Sequence, residues 1–189
     1  MLLELRTYDF APGVAHQYLE LLAHDGIHLI TRHLPLAGYW ITEVGQLNRL
    51  HHLWAYADIA DRLRRRDKLM SDRDWTEGFV PRAMPMIGNQ QSRFFEVVSA
   101  SDATTSTLEQ AGKHGAIFNS DDTLMTGEFQ VLSMGYLPDV EYARTLAGRC
   151  LLGPHAGEQI SFHTLRGLPQ APVERGATEL LRRLSFSPL

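Results

Sequence analysis

The sequence predicts an α+β fold of the ferredoxin-like kind, in which four antiparallel strands carry two helices on one face. Three observations carry this expectation. Strand and helix signals alternate as β-α-β-β-α-β over residues 2–98. The strand segments are apolar or aromatic on both faces, as Trp40 beside Tyr39 and Phe94 beside Phe95 show, so the uncovered face must meet a second sheet. A weaker β-α-β-α series then follows over 115–189, as expected of a degenerate second ferredoxin-like repeat.

The elements follow in order. "LLELRTYDF" alternates as a strand, with Leu3, Leu5 and Thr7 on one face and Glu4, Arg6 and Tyr8 on the other. "APG" at 11–13 breaks it. From Val14 to His33, Val14, Tyr18, Leu21, Leu22, Ile27 and Ile30 recur at helical spacing, and Pro35 stops the helix. "LAGYWITEVG" is the second strand, "GQLN" a hairpin connection and "RLHHLWAYA" the returning strand. Asp58 suits a cap for the helix "IADRLRRRDKLM", with Ile59, Leu63 and Leu69 inward and Arg62, Arg65 and Arg66 outward. A broken helix interrupted by Pro81 and Pro85 leads to the strand "SRFFEVV".

Residues 99–114 are rich in Ser and Thr and read as a linker. Beyond it come a short strand candidate "GAIF", a strand "GEFQVLSMGYL", a helix "DVEYARTLAGRCLL", a strand "QISFHTLRGL" and a helix "PVERGATELLRRL". Pro12 and Pro138 align loosely between the two halves. The predicted organisation is therefore a domain over 1–98, a linker over 99–114 and a degenerate domain over 115–189. The second half is expected to cover the first sheet within one chain.

Composition narrows the function. The 189 residues are 44% apolar and 21% charged, which suits a packed soluble core. A net charge of −4 gives no electrostatic reason to expect a nucleic-acid partner. No stretch approaches the roughly 18 apolar residues of a membrane span, and "MLLELRTYDF" carries charges that do not suit a leader, so a cytoplasmic location is expected. The single Cys150, beside Leu151 and Leu152, reads as a small apolar residue rather than a nucleophile.

"NRLHHLWAY" is the stretch richest in chemistry. In a strand His51 and His52 point apart, so the pair cannot ligate one ion. His24 and His28 are spaced i, i+4 but lack an intervening glutamate, and a solvated helix face explains them equally well. There is no GxGxxG, phosphate loop or GxSxG, and so no metal or cofactor is expected. The run Arg62, Arg64, Arg65, Arg66, Lys68 reads as a solvated face. If aliphatic residues face the helices, His51 joins them. Arg6, Tyr8, His52, Trp54 and Tyr56 then gather on the opposite, open face of the sheet. Aromatic groups with a few polar ones suit either a sheet–sheet interface or a small-ligand pocket.

Several segments carry a family resemblance: "ELRTYDFAPG" at 4–13, "GYWITEVGQLNRLHHLWAYADIADR" at 38–62, "RRRDKLMSDRDW" at 64–75 and "QQSRFF" at 90–95. The most specific is the second, with Gly38, Tyr39, Thr42, Glu43, Gly45, Leu47, Asn48, His52, Trp54, Tyr56 and Arg62. Residues 3–95 resemble the NIPSNAP family. The resemblance implies a dimeric α/β-barrel fold, whose relatives include cofactor-free monooxygenases and haem-degrading enzymes. The family has no assigned reaction, and its animal members look like mitochondrial signalling or trafficking proteins.

Two functions follow as expectations. One is a small aromatic or hydrophobic ligand bound or converted in the barrel, by cofactor-independent oxygenation or isomerisation. His52 would act as base or proton donor, Tyr8 and Tyr56 would assist it, Arg6 would stabilise an oxyanion, and Trp54, Tyr39 and Glu43 would contact the ligand. The other is a non-catalytic scaffold acting through interfaces. A homodimer or higher oligomer is expected in either case.

Overall fold

The computed structural model describes residues 1–119, 121–135, 143–165 and 177–189. The first half supplies β1 (Leu2–Phe10), a helical arm, β2 (Leu36–Val44), β3 (Arg49–Tyr56), a second helical arm and β4 (Ile87–Ala100). The first arm is α1 (Val14–Leu21) and α2 (Ile27–Thr31), joined by a wider π-helical turn at Leu22–Gly26. The second arm is α3 (Ile59–Ser71), a π-helical turn at Asp74–Phe79 and the short α4 (Val80–Ala83). The second half supplies α5 (Asp102–Gln110), β5 (Met125–Met134), β6 (Ala143–Leu152), β7 (Gln159–Thr164) and β8 (Ala177–Leu184).

All eight strands close into one barrel in the order β1-β3-β2-β8-β5-β7-β6-β4. The first quartet runs β4-β1-β3-β2, and β8-β5-β7-β6 repeats that order with four added to each number. Two junctions join the quartets: β2 pairs with β8 through Trp40–Val44, and β4 pairs with β6 through Phe94–Ala100. The length of β4 lets its first part pair with β1 and its last part with β6.

Several expectations change. β6 occupies 143–152, where a helix is expected, and β8 occupies 177–184 in place of the last helix. The apolar residues of these segments serve a barrel wall, and short apolar runs do not distinguish strand from helix by periodicity. "GAIF" at 115–118 is not a strand. The expected linker at 99–114 contains the end of β4 and all of α5, capped by the Ser101 hydroxyl, which accepts from Thr104 N at 3.2 Å. The starts of the two expected C-terminal helices, the end of "QISFHTLRGL" and Pro138 lie outside the described residues.

The facing of the sheet is also the reverse of the expectation. Leu3, Leu5, Leu53, Trp40 and Phe95 fill the barrel interior with Leu132, Leu146, Ile160, Phe162 and Leu181 from the second half. Trp54, Tyr56, Tyr39 and Tyr8 face the helices, packed with Tyr18, Leu19, Leu22 and Leu69. Eight strands leave an interior just wide enough for side chains to fill, which aliphatic residues do well. The space between sheet and helices takes the tall rings instead. On α3, Ile59 and Leu63 are exposed, while Arg62 reaches the fully buried Glu4 at 2.8 and 2.9 Å. A buried carboxylate needs a partner, and that requirement turns the helix.

One end of the barrel interior is polar. His51 Nε2 donates to Glu179 at 2.8 Å, and its Nδ1 accepts from the Thr7 hydroxyl at 3.1 Å. Arg93 donates to Thr7 at 3.0 Å, while Thr42 and Arg49 donate to Glu179 at 2.8 and 2.9 Å. The network ties β1, β2, β3 and β4 to β8. His51 does face the side carrying Leu3, Leu5 and Thr7, but that side is the barrel interior.

Candidate functional site

A cavity of about 260 Å³ lies between the first sheet and its helical arms. Arg6 and Tyr8 from β1, Tyr39 from β2, and His52 and Trp54 from β3 line its sheet side. Arg6, Tyr8, His52 and Trp54 were expected to share a face, and they do so on the helix side, where Tyr39 joins them. Period-two alternation and the antiparallel register bring them together: Arg6 sits opposite His52, which sits opposite Tyr39.

His52 is the centre of the site. Its ring stacks on Tyr39 with centroids 4.9 Å apart and planes 8° from parallel, and meets Tyr8 edge-on at 4.6 Å. Trp54 Nε1 donates to His52 Nδ1 at 2.7 Å. An indole N–H only donates, so Nδ1 must carry the lone pair and the proton of the neutral ring sits on Nε2. Burial, with the positive charge of Arg6 second, holds His52 well below its ordinary pKa and keeps it neutral. Nε2 is buried and has no partner among the described residues.

Arg6 provides the positive charge. One nitrogen donates to Gln90 at 3.0 Å and another lies 3.4 Å from Glu4, while its buried Nε meets no acceptor among the described residues. Its guanidinium sits 5.5 Å from the Tyr8 ring centre. Glu4 does not cancel this charge, because Arg62 already binds it through two nitrogens. Burial raises the pKa of Tyr18 and Tyr39, so both remain neutral phenols.

Two expected site residues lie elsewhere. Tyr56 is buried on the same face, but it does not line the cavity, and its hydroxyl has no partner among the described residues. Glu43 lies near the end of β2 and pairs with Arg182 at 3.4 Å. The helical arms add residues the sequence did not single out as a site: Tyr18, Arg66, Leu69, Trp75 and Phe79, with Gln90 from β4. Trp75 and Phe79 stack at 4.7 Å, and their i, i+4 spacing was the available signal. Among the described residues no group of three or more His, Cys, Asp or Glu side chains is placed to hold a metal ion. Cys150 is buried, and burial raises its thiol pKa. His24 pairs with Glu20 at 3.5 Å.

Fold and site define an α/β-barrel protein with a donor-lined pocket between one sheet and its helices. The family model for NIPSNAP matches residues 3–102, and the chain belongs to the NIPSNAP family. It is 35% identical over 89 residues to mouse Protein NipSnap homolog 3B, a match spanning 47% of this chain and 36% of that protein. The chain therefore matches well under half the length of this curated relative. A NIPSNAP-like domain protein from Burkholderia xenovorans is 32% identical, with a TM-score of 0.50, over 53% of this chain and 87% of that one. An anthrone oxidase-like protein aligns over 98% of this chain and 92% of its own with a TM-score of 0.55 at 8% identity, a likeness of fold alone. No helix among the described residues is long and apolar enough to cross a membrane.

Proposed function

We propose that the pocket binds a small, mostly apolar molecule bearing one acidic or carbonyl oxygen, and that His52 and Arg6 hold that oxygen. The observation that carries this is the unpartnered Nε2–H of a neutral His52, locked in its tautomer by Trp54. Arg6 and Arg66 make the local potential positive, and no carboxylate is among the lining residues. A preorganised donor beside a buried cation favours an oxyanion over its neutral acid. Tyr8 borders the same space.

With Nδ1 occupied and Nε2 protonated, His52 suits a hydrogen-bond donor and not a base. No other lining group suits a base at neutral pH. A substrate that ionises readily by itself, such as an acidic phenol or a 1,3-dicarbonyl, is the class that needs none. Stabilising its anion is a step shared by cofactor-independent oxygenation and by isomerisation. A second reading, a binding module without catalysis, is favoured by the same absence of a base. The repeated strand order supports treating 115–189 as a diverged second ferredoxin-like unit joined to 1–98, with α5 in place of the expected linker. A barrel built by one chain does not need a homo-oligomer to close.

The test uses 4-nitrophenol, whose ionisation is read from its absorbance. Bound to the wild type, its apparent pKa should fall by at least about one unit. His52→Phe and Arg6→Gln should abolish the fall while keeping the melting temperature within a few degrees. A bound phenol that titrates as in water would overturn the oxyanion reading. Unfolding of both variants would assign these side chains to the core.

A further inference from the structure

A second cavity, of about 230 Å³, lies at the barrel end covered by α5, and it shares no lining residue with the His52 pocket. Trp40 is its most telling wall, stacked on Phe162 with centroids 5.1 Å apart, and Leu146 lies beside them. Trp40 is fully buried, yet its indole N–H meets no acceptor among the described residues. Leaving such a donor unmet is unfavourable, and it only donates, so whatever satisfies it must present an acceptor. The carbonyl oxygen of Gln130, lining the same cavity, is also buried and without a partner among the described residues. Arg183 is the one ionisable side chain among the described lining residues, and its Nε lies 3.0 Å from a Glu128 carboxylate oxygen as an ion pair, without hydrogen-bond geometry. The charge at this cavity is therefore compensated, unlike that of the His52 pocket.

We infer that this cavity is a second ligand site, for a small neutral planar molecule of the primary-amide or lactam class. The ligand carbonyl accepts from Trp40 Nε1, its N–H donates to Gln130, and its ring lies against Phe162 and Leu146. A purely apolar ligand leaves Trp40 Nε1 and Gln130 Oε1 unmet, and an anion finds the Arg183 charge already balanced by Glu128. Water is the competing occupant, since it also supplies a donor and an acceptor.

The probe is benzamide, with toluene as the ring lacking the amide, titrated calorimetrically into the full chain. Benzamide should bind, and toluene should bind more weakly. Trp40→Phe should weaken benzamide about tenfold. Ala103→Trp, at an exposed rim position of α5, should block the cavity and abolish binding. Saturating 4-nitrophenol should leave benzamide affinity unchanged, which separates this site from the His52 pocket. If Trp40→Phe does not fold, Gln130→Leu and Ala103→Trp carry the test. The inference is overturned if benzamide does not bind, if the variants bind it as the wild type does, if 4-nitrophenol displaces it, or if crystals soaked in benzamide hold only ordered water in the cavity.

Discussion

Trp54 does two things to His52: it occupies Nδ1, and it leaves the proton on Nε2, which has no acceptor among the described residues. Nitrogen–proton correlation spectra at pH 7 should therefore show a single neutral tautomer, protonated at Nε2. Trp54→Phe should mix the tautomers and cost at least about 1 kcal/mol from the lost hydrogen bond. A wild-type ring protonated at Nδ1 would contradict the assignment. Glu179 is the titrating counterpart inside the barrel. Burial opposes its charge, but His51, Thr42 and Arg49 overcome that and bring it from 4.5 down to about 2. Its folded pKa lies below the unfolded one, so its stabilisation is complete above about pH 4.5 and is lost as pH falls toward 2. The shift corresponds to as much as about 3 kcal/mol. Burial also depresses His51, whose protonation below its ordinary 6.5 weakens the fold in the same direction. Glu179→Gln should lower the urea midpoint at pH 7 and flatten its decline between pH 4.5 and 2. An unchanged slope in the variant would show that Glu179 does not govern the acid limb.

The helical arms owe their shape to a close approach. At Gly26, in the π-helical turn of the first arm, an added Cβ would overlap the Phe79 ring from the second arm. The glycine lets the two arms touch, and Phe79 then walls the His52 pocket. Gly26→Ala should cost about 1–3 kcal/mol by overpacking and weaken 4-nitrophenol binding. Gly78 sits in the other π-helical turn with open space where a Cβ would go. Gly78→Ala should leave the melting temperature unchanged or raise it slightly. Equal losses from both substitutions would refute the contact argument. The orientation of α3 was not legible from its apolar residues. Ile59 and Leu63 suggested the inward face, yet the buried Glu4 draws Arg62 in and leaves both exposed. Hydropathy patterns do not register an ion pair between residues 58 positions apart.

The first sheet has two covers, helices outside and the second quartet inside. Removing the second quartet bares Leu3, Leu5, Trp40, Leu53 and Phe95 at once. A fragment of residues 1–98 should therefore elute as a dimer or larger species in size-exclusion chromatography with light scattering. A soluble monomer at tens of micromolar would show that the sheet tolerates an open face.

Local pattern was enough for β1, β2, β3 and β4, for the helical arms between them, and for the separation of His51 from His52. Strand alternation and turn residues are short-range properties, and they also grouped Arg6, Tyr8, His52 and Trp54 on one face. Which side of the sheet that face occupies was beyond local pattern. Both sides are apolar, and the choice depends on how narrow an eight-stranded interior is compared with the gap beneath the helices. The same holds for β6 and β8, whose residues become strands because neighbouring barrel strands offer them ladder partners. Chemistry at His52 follows from that placement. Alternation put the imidazole beside the indole, and tertiary packing buried both against the helices and left one N–H without a partner among the described residues.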